Sequence, residues 1–328
     1  MHYVGIDISK DTFTATLLTD PDTLQFFGET FENAEQGFKH FLKRVDACGI
    51  EPDAPFVMEA TGVYGERLAA FLYQHDRAVH VEPPVKISRA FRDDEKTDPI
   101  DSRMIAEYGF RYRDQLHAWK PKERIVEEIR VLMVNRELFV KQRTASKNVL
   151  KSMRHKTEQG LLHFHLEQLE FLSAHIAAIE GAIKETFKQN AVTQQHVTNL
   201  DTIPGVGLIY IANFFDVTDG FTHINYRSLA RYLGIIPRKH QSGTSVNRKP
   251  RSKKTGPARM RKQLFLSSIT SIKTEGPLKE YFYKKQGAGK NGKIVLAIIS
   301  NKLLKISCAV VLSGQPYDPQ YKSIHLQV

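Results

Sequence analysis

Four carboxylates stand where they could do chemistry together. Asp7 lies in Val4-Gly5-Ile6-Asp7-Ile8, on the face opposite Ile6 and Ile8, and Glu59 ends the apolar run Pro55-Phe56-Val57-Met58. Asp98 and Asp101 sit in Lys96-Thr97-Asp98-Pro99-Ile100-Asp101, and their i, i+3 spacing puts both on one face of a helix that Pro99 is suited to begin. Gathered carboxylates repel and take up protons unless a cation lies between them, so such a cluster predicts a hard metal, Mg²⁺ with Mn²⁺ as a substitute. Two such ions about 3.5–4 Å apart hold the attacking and leaving oxygens of a phosphodiester in line, and one alone acts as a Lewis acid. The chemistry would be strand cleavage. Each residue has an ordinary reading too: Asp98 caps a helix, Asp101 complements its dipole, and Asp7 and Glu59 serve turns. Only the combination carries weight.

A second group is basic. From Arg238 to Lys262 the chain holds Arg238, Lys239, Arg248, Lys249, Arg251, Lys253, Lys254, Arg259, Arg261 and Lys262 and no acidic residue, a density that predicts a phosphate-binding surface. A solvated basic loop is the plain alternative. Ser242 precedes Gly243 there; a serine becomes a nucleophile once cations or a base stabilise its alkoxide. By residue type alone it is one hydroxyl beside Ser245 and Ser252, and a structural role is the better reading. Upstream, Ile203-Pro204-Gly205-Val206-Gly207 before Ile211-Ala212 resembles a helix-hairpin-helix turn whose glycines, Gly205 and Gly207, offer backbone N–H groups to phosphate. A Gly-rich turn between packed helices explains it about as well.

The elements that must position these groups follow from periodicity. Tyr3 to Ile8, Thr12 to Leu18 and Leu24 to Phe31 read as a meander, then a helix capped by Asn33 and ended by Gly49, a buried strand before Glu59, a helix through Leu68, Phe71 and Leu72, and a strand Ala78 to Val81 stopped by Pro83-Pro84. This is a mixed α/β sheet of RNase H-like build, assigned to residues 1–120. Leu162, Leu166, Leu169, Leu172, Ile176, Ile179, Ile183 and Phe187 recur at helical spacing, so 121–199 reads as a helical hairpin or coiled-coil connector, the latter implying oligomers, or as an amphipathic helix packed on its own domain. Residues 200–328 read as a mostly helical basic domain, with helices around 226–233, 258–272 and 294–312.

The 328 residues suit more than one core, and 41% hydrophobic with 25% charged residues fits a soluble globular protein. The net charge of +11 is unevenly spread: residues 1–110 hold 11 Lys+Arg against 20 Asp+Glu, and the remainder 36 against 16. A phosphate polymer is the natural partner of the basic part, with a merely solubilising basic surface as the alternative. Cys48 and Cys308 alone form neither a disulfide framework nor a thiolate site. No apolar run is read as approaching the roughly 20 residues that cross a bilayer, and the expected location is the cytoplasm, without membrane contact.

These segments resemble the DEDD transposases of bacterial insertion sequences, which include Piv-type invertases and bridge-RNA-guided recombinases. The resemblance runs through Val4-Gly5-Ile6-Asp7, Glu59-Ala60-Thr61-Gly62-Val63-Tyr64, Lys96 to Asp101 with Ala106-Glu107, Ile203 to Gly207, Pro237 to Gly243, Lys254-Thr255-Gly256 and Lys302-Leu303-Leu304, in family order over nearly the whole chain. It implies a RuvC-like domain in which Asp7, Glu59, Asp98 and Asp101 hold Mg²⁺, and a transposase domain in which Ser242 forms a covalent phosphoserine link to DNA. It also implies a homo-oligomer, dimer or tetramer, and a noncoding guide RNA. Ile235-Ile236-Pro237 and Met260 depart from the usual residues without touching a proposed catalytic group. The alternatives are a Holliday-junction-type nuclease hydrolysing with water, a non-catalytic nucleic-acid-binding protein, and a sugar-kinase-like ATPase, for which a second Gly-rich loop is missing.

Overall fold

A computed structural model describes residues 2–20, 25–60, 62–91, 98–153, 162–242, 246–252 and 256–320. It divides into two compact units, Met1–Pro121 and Lys122–Val328.

In the first unit, strands β1 (Tyr3–Ile8), β2 (Thr12–Asp20), β3 (Gln25–Glu32), β4 (Pro55–Glu59) and β5 (Ala78–Glu82) form one sheet in the order β3-β2-β1-β4-β5. The meander pairs antiparallel, and β4 and β5 add parallel to β1, the mixed arrangement of an RNase H-like sheet. The period of two splits β1 between two layers. Val4, Ile6 and Ile8 join a core with Phe38 and Phe41 of α1 (Glu35–Ala47) and Leu68 and Leu72 of α2 (Glu66–Gln74). Tyr3 and Gly5 face α4 (Asp98–Arg111), which also packs against α3 (Pro84–Ala90). Gly5 is required there, because an added Cβ would lie 2.8 Å from Ala106 Cα and closer still to Ser102 O. Past α4 the chain returns along the free edge of β5, where His80 bridges Ala118 and Trp119 N–H donates to Val79 O at 2.8 Å.

Asn33 does not cap α1. The helix follows Ala34 with no side-chain cap, and Asn33 Nδ2 instead donates to Ser9 O at 3.0 Å and Tyr64 O at 3.2 Å. Two loop carbonyls brought close by the fold outweigh one local helix donor. Asn33 thereby ties the β1–β2 turn to the loop that follows Glu59.

The second unit comprises α5 (Arg124–Met153), α6 (His163–Lys188), α7 (Ala191–Asp201), α8 (Leu208–Val217), α9 (Tyr226–Tyr232), the hairpin β6 (Pro237–Ser242) and β7 (Val246–Ser252), α10 (Ala258–Ser271), α11 (Pro277–Gly287) and α12 (Gly292–Ser313). Helices α5 and α6 run antiparallel, joined by Arg136–Glu180 at 2.7 Å and Ser146 Oγ to Gln168 Oε1 at 2.7 Å. Leu172, Ile176, Ile183 and Phe187 are buried, whereas Leu166 is 51% exposed and lies off the buried stripe. Val126 and Ile129 of α5 and Ile183 and Phe187 of α6 share one core with α8 and α12.

One expectation needs correction. Helix α12, 22 residues at mean hydropathy 2.0, is long and apolar enough to cross a membrane. Lys302 and Lys305 interrupt the run when it is read along the chain, yet the window as a whole remains apolar. Val295, Ile299, Leu303, Leu304 and Cys308 are buried in the unit's core, which accounts for that composition.

Candidate active site and nucleic-acid surface

The sheet brings two of the four carboxylates onto neighbouring backbones. Strands β1 and β4 pair through Val4↔Phe56, Gly5↔Val57 and Ile6↔Met58, so Asp7 and Glu59 are the next residues on each. Both are partly buried. Asp7 shares the face of Gly5, and Glu59 that of Val57, which packs with Ile105 and Tyr108 of α4. Helix α4 runs antiparallel to β1: Ser102 and Ala106 lie on Gly5, and the Tyr3 ring meets Phe110 edge-on at 5.5 Å. Ser102 is fixed by a 2.7 Å hydrogen bond with Thr16 Oγ1 of β2. Asp101, partly buried, immediately precedes it, so α4 presents its first turns toward the end of β1 that carries Asp7. Asp98 opens α4 and is described by its backbone alone. Among the described residues, no group of three His, Cys, Asp or Glu side chains lies close enough to hold a metal ion. The donors are all carboxylate oxygens, the chemistry a hard divalent cation takes.

Sequence reasoning missed a neighbouring carboxylate. Glu82 is the strand partner of Glu59 in the parallel β4–β5 register and is 1% exposed. Lys86 Nζ donates to its Oε2 at 2.6 Å, and His117 Nδ1 lies 3.6 Å from Oε1. The signal was there: Glu82 keeps the phase of His80 in Ala78-Val79-His80-Val81-Glu82 and stands at i, i+4 from Lys86. Burial raises the pKa of the Tyr108 phenol, and the Glu82 charge adds to that shift.

In the second unit, Ser242 is the last residue of β6, paired with Val246, so it stands beside the tip of the hairpin; Gly243 and Ser245 lie outside the described residues. The ribbon sets Arg238 opposite Arg251 and His240 opposite Arg248. Like charges directly opposite destabilise a pair of strands, and a two-stranded ribbon is marginal by itself. Lys239 and Lys249 belong to the same strands, while Lys253 and Lys254 lie outside the described residues. Among the described side chains of the basic window, Arg259 pairs with Glu137 at 3.1 Å, and Arg261 donates to Gly256 O at 2.7 Å. Lys262 is exposed.

The glycine turn sits between α7 and α8. Gly205, at φ +84°, packs against the backbone of α10, where a Cβ would lie 2.5 Å from Ser267 O. A Cβ at Gly207, which precedes the first residue of α8, would meet nothing within 4 Å. Of the two glycines, Gly207 has the open approach.

Comparisons with known proteins match this layout. A family profile described as a transposase of the DEDD, IS110 type matches residues 4–155, and one described as the transposase IS116/IS110/IS902 family matches residues 197–284. The pilin gene-inverting protein of Moraxella lacunata is 29% identical over 98% of both chains, and that of Moraxella bovis 28% over 98% of both. The transposase for insertion sequence element IS1111A of Coxiella burnetii (strain RSA 493 / Nine Mile phase I) is 24% identical over 73% of this chain and 70% of its own. With both profiles matched in order and relatives alike along nearly its full length, the chain belongs to the DEDD transposase family of the IS110 type, enzymes of DNA recombination.

Proposed function

We propose that this protein cuts and rejoins DNA strands through a covalent phosphoserine intermediate. Asp7, Glu59, Asp98 and Asp101 would hold Mg²⁺, which would supply Lewis-acid stabilisation to phosphodiester oxygens. Ser242 Oγ attacks phosphorus and gives its proton to solvent, while the bond from phosphorus to the DNA 3′ or 5′ oxygen breaks and that oxygen takes up a proton to leave as a hydroxyl. The ester keeps the phosphodiester energy, so rejoining needs no ATP. The observation that carries this reading is the pairing of β1 with β4, which sets Asp7, one residue before the end of β1, beside Glu59 at the end of β4, on the face that receives the first turns of α4.

The functional division is residues 1–120 for the metal site, 121–199 as connector and 200–328 for the serine and nucleic-acid surface. Arg238, Lys239, Arg248, Lys249, Arg251, Lys253, Lys254, Arg259, Arg261 and Lys262 take backbone phosphates, with Gly205 and Gly207 contributing through the turn. Support comes from the hairpin register, which sets Arg238 opposite Arg251, a like-charge pair that an anion would relieve. An element-encoded noncoding RNA guides the DNA choice. The protein works in the cytoplasm as a homo-oligomer, dimer or tetramer, through the α5–α6 pair. Val131, Val134 and Leu138 form an exposed apolar stripe at coiled-coil spacing on α5, and Phe164 and Phe171 lie seven residues apart on α6.

The test uses a plasmid carrying the gene with its native flanking DNA. Wild-type protein yields joined recombinant circles and a protein–DNA adduct that survives denaturation, whereas Ser242→Ala yields neither and still retains nucleic acid on purification. An adduct persisting in Ser242→Ala refutes the serine assignment, and free ends without joined products favour a hydrolytic nuclease.

A further inference from the structure

The acidic unit has to receive a phosphate polymer beside a cluster of carboxylates. Bare carboxylates repel phosphodiester oxygens, so a site of this kind gains from a fixed cation at its rim. Glu82 and Lys86 meet that need. Strand pairing places the Glu82 backbone beside that of Glu59, about 4.8 Å away by sheet spacing. Residues paired in a parallel register point to the same face, so Glu82 lies on the α4 side with Glu59.

A carboxylate only 1% exposed is costly unless it is paired. Lys86 supplies the pairing at 2.6 Å from Oε2, while Oε1 makes no hydrogen bond among the described residues and has His117 Nδ1 at 3.6 Å. The two partners differ in exposure. Glu82 is sealed beneath the rim, whereas the Lys86 side chain is 44% exposed. A buried anion therefore anchors a half-exposed ammonium at the sheet end that carries Asp7 and Glu59. An ammonium has three donors, and Glu82 uses one.

We propose that Lys86 binds a non-bridging oxygen of the DNA phosphodiester at the strand-cleaving site and that Glu82 is the positioning residue that holds its ammonium there. This rests on the strand-cleavage reading above. The ligand class is a phosphodiester anion, taken by charge and hydrogen bonding without base contacts.

The test again uses the full-length protein with a plasmid bearing the gene and its native flanks. Strand cleavage is followed against Mg²⁺ concentration, together with the melting midpoint. Lys86→Ala is expected to lower the cleavage rate by 10-fold or more and to leave the Mg²⁺ midpoint unchanged. Lys86→Arg, which keeps the charge, is expected to recover most of the rate. Glu82→Gln should reproduce the Lys86→Ala loss, with the same unchanged Mg²⁺ midpoint, at temperatures below its own melting transition. Wild-type cleavage rates in Lys86→Ala overturn the proposal, as does failure of Lys86→Arg to restore activity in a protein that melts normally. A parallel shift of the Mg²⁺ midpoint also overturns it, because Lys86 would then be acting on the carboxylates and not on the phosphate. Absence of any Mg²⁺-dependent cleavage by wild-type protein refutes the strand-cleavage reading itself, a result separate from the other three.

Discussion

One methyl group at Gly5 tests how the acidic site is assembled. The Cβ of an alanine there would lie 2.8 Å from Ala106 Cα and closer still to Ser102 O and Ala106 N. Carbon atoms in contact rest about 3.5–4.0 Å apart, so α4 has to rise by roughly 1 Å or the sheet has to bend. Backbone cannot swing aside as a side chain can, which puts Gly5→Ala at the upper end of overpacking costs, about 3 kcal/mol. For a unit of this size that is a drop of roughly 10 °C in the melting midpoint. The same lift displaces Asp98 and Asp101 relative to Asp7 and Glu59, and a misplacement of about 1 Å costs on the order of 100-fold in rate. Gly109→Ala is the matched control. Its Cβ would meet one side-chain atom, Val57 Cγ2, at 2.8 Å and no backbone, so the expected cost is smaller, about 2 kcal/mol. Calorimetry gives the midpoints, and joined-circle formation from the flanked plasmid gives the activity. If Gly5→Ala melts within about 2 °C of wild type and recombines normally, α4 does not rest on β1 as described.

Two further outcomes follow from the same structure. Ile183, fully buried in the second unit, should cost about 2–5 kcal/mol on conversion to alanine, whereas Leu166→Ala, at 51% exposure, should change the urea midpoint hardly at all; equal losses would contradict the assigned stripe. Burial holds the His80 imidazole below its ordinary pKa of 6.5, so the folded protein binds fewer protons than the unfolded chain on mild acidification. The stability His80 permits is complete above about pH 6.5 and declines as the pH falls toward the folded-state pKa. Urea midpoints measured at pH 7.5 and 5.5 should therefore differ less in His80→Gln than in wild type, and an unchanged difference would remove His80 as the source.

The first unit is largely legible because its elements announce themselves through simple periods. Val4, Ile6 and Ile8 alternate with Gly5 and Asp7, and that alternation alone assigns Asp7 to the face opposite the main apolar core. The nearness of Asp7 to Glu59 needed one fact no local pattern carries, that β4 pairs with β1 and not with β3. Asn33 was misread for a related reason: its local neighbours suggest a cap, while its real partners are 24 and 31 residues away. The hairpin β6–β7 escaped notice because Pro237-Arg-Lys-His-Gln-Ser242 and Val246-Asn-Arg-Lys-Pro-Arg-Ser252 show no alternation of apolar and polar residues. Their register, Arg238 opposite Arg251 and His240 opposite Arg248, is a pairing that no local pattern carries. Helix α11 was likewise unmarked, since Leu278 is its one buried residue.

The uneven charge has a chemical reason beyond attracting DNA. A lysine or arginine seated among metal-binding carboxylates lowers their pKa and also occupies the oxygens that a divalent ion needs. Under the proposed function, affinity for the polymer is best supplied by residues remote in sequence from the carboxylates, such as the window from Arg238 to Lys262. Glu82 departs from that segregation, because its Oε2 is already taken by Lys86. By the same reasoning an oxygen already held by an ammonium makes Glu82 a poor metal ligand. Two glutamates lie side by side in one sheet, and the second, sealed from solvent, is held to the lysine four residues after it.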